Sequence, residues 1–321
     1  MALIDKPRQE QSFATFDDYR LFLRDTLDSL WKNMSAESRN EGYRPLSSCS
    51  SGYDSTAVSV LAREIGTLDA VCVPQDRLGL DDSGIELVKQ LDMEPRIVER
   101  FDWRKQDFAE IPFIAGDACG RDTWLQPASE LLANRVFLTG NFGDAAWSER
   151  PPNRYGRLLR SEETGPAGLS LTEFRLHAGF IHCPLPYLGA ETLRASAIRN
   201  SEAMQPWRRG NRYDRPIPRR IVEQAGIERF RFGTRKTATA VHLFRRTEFD
   251  RFFAGTESLR DYMRWIRRHS RQQPPPSGSD YPLNVPSLEE IEVPLFRHLF
   301  PWAIERCKQA YRCERPLESQ V

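Results

Sequence analysis

Ser47-Ser48-Cys49-Ser50-Ser51-Gly52-Tyr53-Asp54-Ser55-Thr56 runs from a short apolar stretch straight into a helix-forming one. Small residues let a backbone come close to a ligand, and amides at a helix N-terminus point at anions. Ser50, Ser55 and Thr56 add hydroxyl donors, and Asp54 could hold a divalent cation that bridges phosphates. No Gly-Lys-Ser/Thr follows, so this is not a Walker A loop. A plainer reading is a Ser-rich turn in which Asp54 or Ser55 caps the helix. A second segment, Leu138-Thr139-Gly140-Asn141-Phe142-Gly143-Asp144, also leaves a strand through glycine and ends in a carboxylate. Two such loops could face one triphosphate and its Mg²⁺ from two sides. A third segment, Phe232-Gly233-Thr234-Arg235-Lys236-Thr237, places one of the chain's six lysines beside an arginine.

The elements that must position these loops follow from periodicity. Phe16, Tyr19, Leu21, Phe22, Leu27, Leu30 and Trp31 have helical spacing, which predicts an amphipathic helix over residues 13–34. Short apolar runs follow at Pro45-Leu46, Ala70–Val73, Arg96–Val98 and Val136–Leu138. Helical stretches lie between them at Ser55–Ile65, Ser83–Leu91 and Pro127–Ala133. That alternation predicts an α/β fold with a Rossmann-like parallel sheet, its loops gathered along one edge. After residue 148 the chain is Arg-rich and helical in period, and no β-α-β continuation is expected there. The proline-rich run Pro274–Ser279 reads as a surface linker or lid-like loop. The expected organisation is an N-terminal helical segment (1–40), an α/β core (41–150) and a mainly helical C-terminal region (151–321).

Bulk composition excludes several function classes. The 321 residues hold 46 basic and 45 acidic side chains, so a strongly cationic nucleic-acid coat is ruled out globally. A hydrophobic share of 40% is enough to build a core, which argues against disorder. No run of apolar residues reaches membrane-spanning length, and Met1–Lys6 turns polar at once. The six cysteines form no Cys-x-x-Cys pair and read as reduced thiols, so a cytoplasmic protein without a membrane partner is expected.

Taken in order, the segments resemble a known family. Ser50–Thr56 is similar to the Ser-Gly-Gly-x-Asp-Ser loop of the N-type ATP pyrophosphatases, the PP-loop superfamily. Thr139–Asp144 is similar to the Ser-Gly-Glu-Gly-x-Asp-Glu segment of the synthetase domain of asparagine synthetase. His182–Leu188 resembles that domain's Arg-x-Pro-Phe-Leu-Asp stretch, and Pro218–Gly226 followed by Arg235-Lys236 resembles its closing helix and Arg-x-Lys loop. The resemblance spans about residues 45 to 240. It implies an adenine nucleotide alpha-hydrolase-like fold and an ATP-dependent, AMP-forming ligase. Such an enzyme adenylates a carboxylate, releases pyrophosphate and lets an amine form the amide.

Carried over, Ser50, Ser51, Gly52, Asp54, Ser55, Thr56, Gly140, Gly143 and Arg235 would bind ATP, with adenine near Val71 and Val73 at the end of the second strand. Asp54 and Asp144 would hold Mg²⁺, and Lys236, Asp144 and Asn141 would form the catalytic set. The chain departs from the pattern at Ser51, where the family has glycine, and at Asn141, where it has an acid. Ala145 and Gly189 replace two further acids. Asparagine cannot act as a general base. A glutaminase domain ahead of the synthetase-like part is not expected. Nitrogen would therefore come from a separate glutaminase or pathway partner, or from another small-molecule amine.

Two other classes compete. One is a degenerate ATP- or AMP-binding subunit without catalysis; the other is an RNA-modifying PP-loop enzyme. The stretches Trp207–Arg220, Arg229–Arg246 and Arg264–Arg271 could grip RNA, but interspersed acids favour a solvated face, so a nucleic-acid partner is not expected. Arg245 and Arg246 could anchor an acidic substrate. His177, His182, Cys183, Cys307 and Cys313 match no zinc spacing, and the Gly-x-Ser-x-Gly elbow of Ser hydrolases is absent.

Overall fold

A computed structural model describes residues 12–76, 79–105, 123–147, 172–210, 213–233 and 255–269, together with 253, 302, 305 and 306. Helix α1 (Phe16–Met34) begins at a capping box. Thr15 Oγ1 accepts the Asp18 amide at 3.2 Å, and Asp18 Oδ2 accepts the Thr15 amide at 2.8 Å. Phe16, Tyr19, Leu23 and Leu27 form its buried stripe. The Tyr19 hydroxyl donates to the Leu188 carbonyl at 3.2 Å and accepts from Trp147 Nε1 at 2.9 Å. Thr15→Ala removes the hydroxyl half of the cap, and a loss of about 1 kcal/mol is expected in urea unfolding.

The sheet carries β1 (Arg44–Cys49), β2 (Asp69–Cys72), β3 (Glu94–Ile97), β4 (Arg135–Thr139) and β5 (Ile181–Pro184), all parallel, in the order β3-β2-β1-β4-β5. β1 is central and pairs Ser48 with Val71 on one side and Leu46 with Phe137 on the other. Helices α2 (Tyr53–Glu64) and α3 (Ile85–Gln90) follow β1 and β2, and the short α4 (Gly143–Ala146) follows β4. Helix α5 (Pro216–Gln224) starts with proline, whose fixed φ suits a first turn, and buries Ile217, Arg219, Ile221 and Val222. The fold is α/β with a five-stranded, all-parallel sheet.

Three sequence expectations need correction. The sheet does continue after residue 148: Ile181–Pro184 pairs with β4 in parallel register. The Trp207–Arg220 stretch is not a solvated face throughout, because Arg215 and Arg219 are 5% and 1% exposed. The expected helix over Pro127–Ala133 is a 3₁₀ turn, Thr123–Ala128, followed by one α-turn, Ser129–Leu132.

The chain divides into two compact units, the first comprising residues 1–97, 131–168 and 179–238, and the second 98–130, 169–178 and 239–321. The first unit contains the whole sheet. In the second, helix α6 (Thr256–His269) packs Tyr262 against Phe253 and Trp302 at ring separations of 5.2 and 5.3 Å. Arg306 there reaches Asp261. Among the described residues, no helix is long and apolar enough to cross a membrane.

Candidate functional site

In a parallel sheet of this order the chain runs outward in opposite directions from β1 and β4, so their C-terminal loops diverge and leave a crevice between them. Both candidate loops leave from these two strand ends. Ser50, Ser51 and Gly52 link β1 to α2, whose first turn carries Asp54, Ser55 and Thr56; Gly140, Asn141 and Phe142 link β4 to α4, which carries Gly143 and Asp144.

The first loop is held by its own hydroxyls. Ser50 and Ser55 exchange an Oγ–Oγ hydrogen bond of 2.7 Å, and Ser55 Oγ accepts the Ser50 amide at 3.1 Å. Thr56 Oγ1 donates to the Gly52 carbonyl at 2.7 Å. Gly52 is the N-cap of α2 and supplies no side-chain bond to its first amides, so neither Asp54 nor Ser55 caps that helix. Ser51 lies outside the left-handed region, so a serine meets no backbone penalty where the resembling family has glycine. The Ser51 side chain and its amide both donate to Asp82, the amide at 3.1 Å.

The second loop presses directly on the first. A methyl group on Gly140 would lie 2.7 Å from the Asp54 carbonyl carbon and the Ser55 nitrogen. One on Gly143 would occupy the space of the Asp54 carboxyl carbon. Only glycine allows this approach. Between them Phe142 takes a left-handed conformation, φ 68° and ψ 9°, which for an aromatic residue costs on the order of 1–3 kcal/mol. Its ring meets Tyr187 edge-on at 4.9 Å, a contact that offsets part of the strain. Asn141 is exposed.

Guanidinium groups line the other side. Arg215, the residue before α5, forms an ion pair with Asp54 Oδ2. Burial lowers its pKa to about 10, which leaves it charged at neutral pH. Arg219 donates to the Tyr53 hydroxyl and lies 4.8 Å over its ring. Arg209 reaches the same hydroxyl at 3.4 Å and the Gly233 carbonyl at 3.0 Å. Tyr213 stacks obliquely on Tyr53 with ring centres 4.8 Å apart. Burial raises the Tyr213 pKa above its ordinary value, and the charges of Asp82 and Asp144 push it further. The Ser51–Asp82 bonds and the approach of Gly140 and Gly143 to Asp54 bring the loops after β1, β2 and β4 together.

The structure brings Ser50, Ser51, Gly52, Asp54, Ser55, Thr56, Gly140, Gly143 and Asp144 into one cluster. Val71 lies in β2 and Val73 just beyond it, both buried. Arg235 and Lys236 lie outside the described residues; the last described residue before them is Gly233, whose amide donates to the Ser51 carbonyl at 2.6 Å. Five residues of the cluster were not singled out from the sequence: Asp82, and Arg209, Tyr213, Arg215 and Arg219, which lay unranked in the Trp207–Arg220 stretch. Asp82 had a usable signal, because it lies in the loop after β2, at the same sheet edge.

The chain matches no known family model and no curated protein compared with it. Its functional reading therefore rests on the site.

A divalent cation on Asp54 does not fit this arrangement. One carboxylate oxygen is on Arg215, and the other, Oδ1, is buried without a hydrogen-bond partner on the side that Gly143 covers. Among the described residues, no three His, Cys, Asp or Glu side chains converge to hold a metal ion. The thiols of Cys49, Cys72 and Cys183 are all raised above the ordinary range, chiefly by burial, so at neutral pH they are not nucleophiles.

Proposed function

We propose that the chain binds ATP with its phosphates at the C-terminal end of β1 and acts as an ATP-dependent, AMP-forming ligase. A substrate carboxylate oxygen attacks the α-phosphorus, and pyrophosphate leaves. An amine then attacks the acyl carbon, and AMP departs with the carboxyl oxygen, which leaves an amide. The supporting observation is the convergence of two glycine-bearing, Asp-ending loops at the point where the sheet reverses its winding. Loops there bind ligands because the flanking helices run apart. The finer fold proposed is the adenine nucleotide alpha-hydrolase type with a helical C-terminal region.

In this reading Ser50, Ser55 and the first amides of α2 cradle pyrophosphate, and Lys236 balances its charge as it leaves. Magnesium enters only as the counter-ion that ATP brings, and no residue is assigned to it. The test is ATP–pyrophosphate exchange across a panel of carboxylic acids. Exchange dependent on one acid class is expected, with Lys236→Ala lowering it at least about a hundredfold, the scale of a lost transition-state charge contact. Exchange undiminished in that variant would remove the assignment.

A second reading, a nucleotide-binding subunit without catalysis, is favoured by the Asp54–Arg215 closure and by Asn141 at the position of an acid. It predicts calorimetric ATP binding with no exchange for any acid. The RNA-modifying alternative loses Arg215 and Arg219, which are buried in the protein's own site.

A further inference from the structure

We infer that Asp54 is the anchor of Arg215 and not a ligand of a divalent cation, so that the cation at this position is part of the chain itself. The inference deepens the nucleotide reading, on which only the ligand's identity rests. Three observations carry it. The Asp54 and Arg215 side chains are 16% and 6% exposed and touch through Oδ2 and Nη1. Oδ1 is buried with no partner, on the carboxylate whose carbon sits where a Gly143 side chain would be. The Tyr213 ring lies 5.0 Å from the guanidinium and holds it from the side.

A small cation such as Mg²⁺ demands octahedral oxygen geometry at about 2.0–2.1 Å and keeps several waters. Reaching Asp54 would require expelling a buried guanidinium and lifting the Gly143 backbone. Leaving either partner alone in a dry site is costly, so the pair resists opening. Arg215 also cancels the charge of a carboxylate in the first turn of α2, which would otherwise repel the phosphates that this helix end attracts. Arg215 is thus a positioning residue: it acts on the ligand through Asp54 and the loop.

Thermal unfolding of the full chain tests this with wild type, Asp54→Asn, Arg215→Gln and the double variant, each in EDTA, in MgCl₂, in ATP with EDTA and in ATP with MgCl₂. In EDTA, Arg215→Gln should lower Tm by about 5–15 °C, and adding Asp54→Asn should restore much of that loss. Additive effects of the two substitutions would overturn the inference. The Tm gain that Mg²⁺ adds, with or without ATP, should be the same in wild type and Asp54→Asn. A gain present in wild type and lost in Asp54→Asn would make Asp54 a metal ligand and overturn it, even if Arg215→Gln failed to fold. An ATP shift absent from wild type in both buffers, with the coupling intact, would remove the nucleotide reading and leave the ion pair standing.

Discussion

Gly143→Ala should eliminate exchange activity and destabilise the first unit. The added methyl would occupy the place of the Asp54 carboxyl carbon, and Asp54 Cβ is close behind it. The obstruction is no flexible tip that can swing aside: Asp54 is fixed by Arg215 on one flank and by the first turn of α2 on the other. Either the carboxylate rotates and abandons a buried guanidinium, or the β4–α4 loop lifts off the β1 loop. The first route breaks a buried pair, at about 3–5 kcal/mol. The second separates the two loops that the proposed site needs together. Overpacking alone costs about 1–3 kcal/mol. Urea unfolding and ATP–pyrophosphate exchange on the same preparation check both parts. A variant with wild-type stability and exchange would show that the loops do not meet as described.

Asp69→Ala should lower stability by about 2–4 kcal/mol without changing kcat/KM of the folded protein. Asp69 opens β2, and its two oxygens take Arg135 Nη1 at 3.1 Å and Nη2 at 2.6 Å from the start of β4. The same Nη1 donates to the Pro45 carbonyl of β1 at 2.9 Å, and Arg96 of β3 adds a 3.4 Å contact. The carboxylate thus joins three strands, and through Arg135 a fourth, at the sheet's N-terminal edge. Its side chain is 7% exposed and that of Arg135 15%, so solvent screens the pair only weakly. The edge lies opposite the loops, which is why stability and catalysis should separate. Denaturant midpoints and exchange kinetics measure the two effects, and a fall in kcat/KM at full folding would place Asp69 in the site's electrostatics.

Much of the architecture was readable from residue order. The runs at 45–46, 70–73 and 136–138 became β1, β2 and β4, because a strand buried on both faces needs only a short apolar run bounded by turns, and the run at 96–98 marked the end of β3, a partly exposed edge strand. β5 escaped for a physical reason. Ile181-His182-Cys183-Pro184 is four residues at a sheet edge, where a proline is tolerated and no alternation can be counted. His182 Nε2 shares a hydrogen bond of 2.7 Å with Thr139 Oγ1, which ties β5 to the end of β4. Within the site, Ser50, Asp54 and Gly140 were legible because their types are restricted by backbone approach. Arg215 was not, since in sequence it is one of many arginines in a charged stretch; only burial separates it from its neighbours. Asp82 was hidden because Asp-Asp-Ser-Gly reads as an ordinary turn, and its bond to Ser51 joins residues 31 apart in the chain.

The division of the chain into interleaved units has a consequence for how the protein is made. The second unit is assembled from three stretches, and each of the first two is returned to the first unit before the next begins. During synthesis β1 emerges long before its partner β4, and residues 98–130, which belong elsewhere, must pass in between. Pairings of this kind close large loops and form late. No single cut can release either unit intact, so terminal truncation is a poor way to isolate the candidate site. Excising the second unit means replacing two internal segments with short linkers as well as trimming the tail.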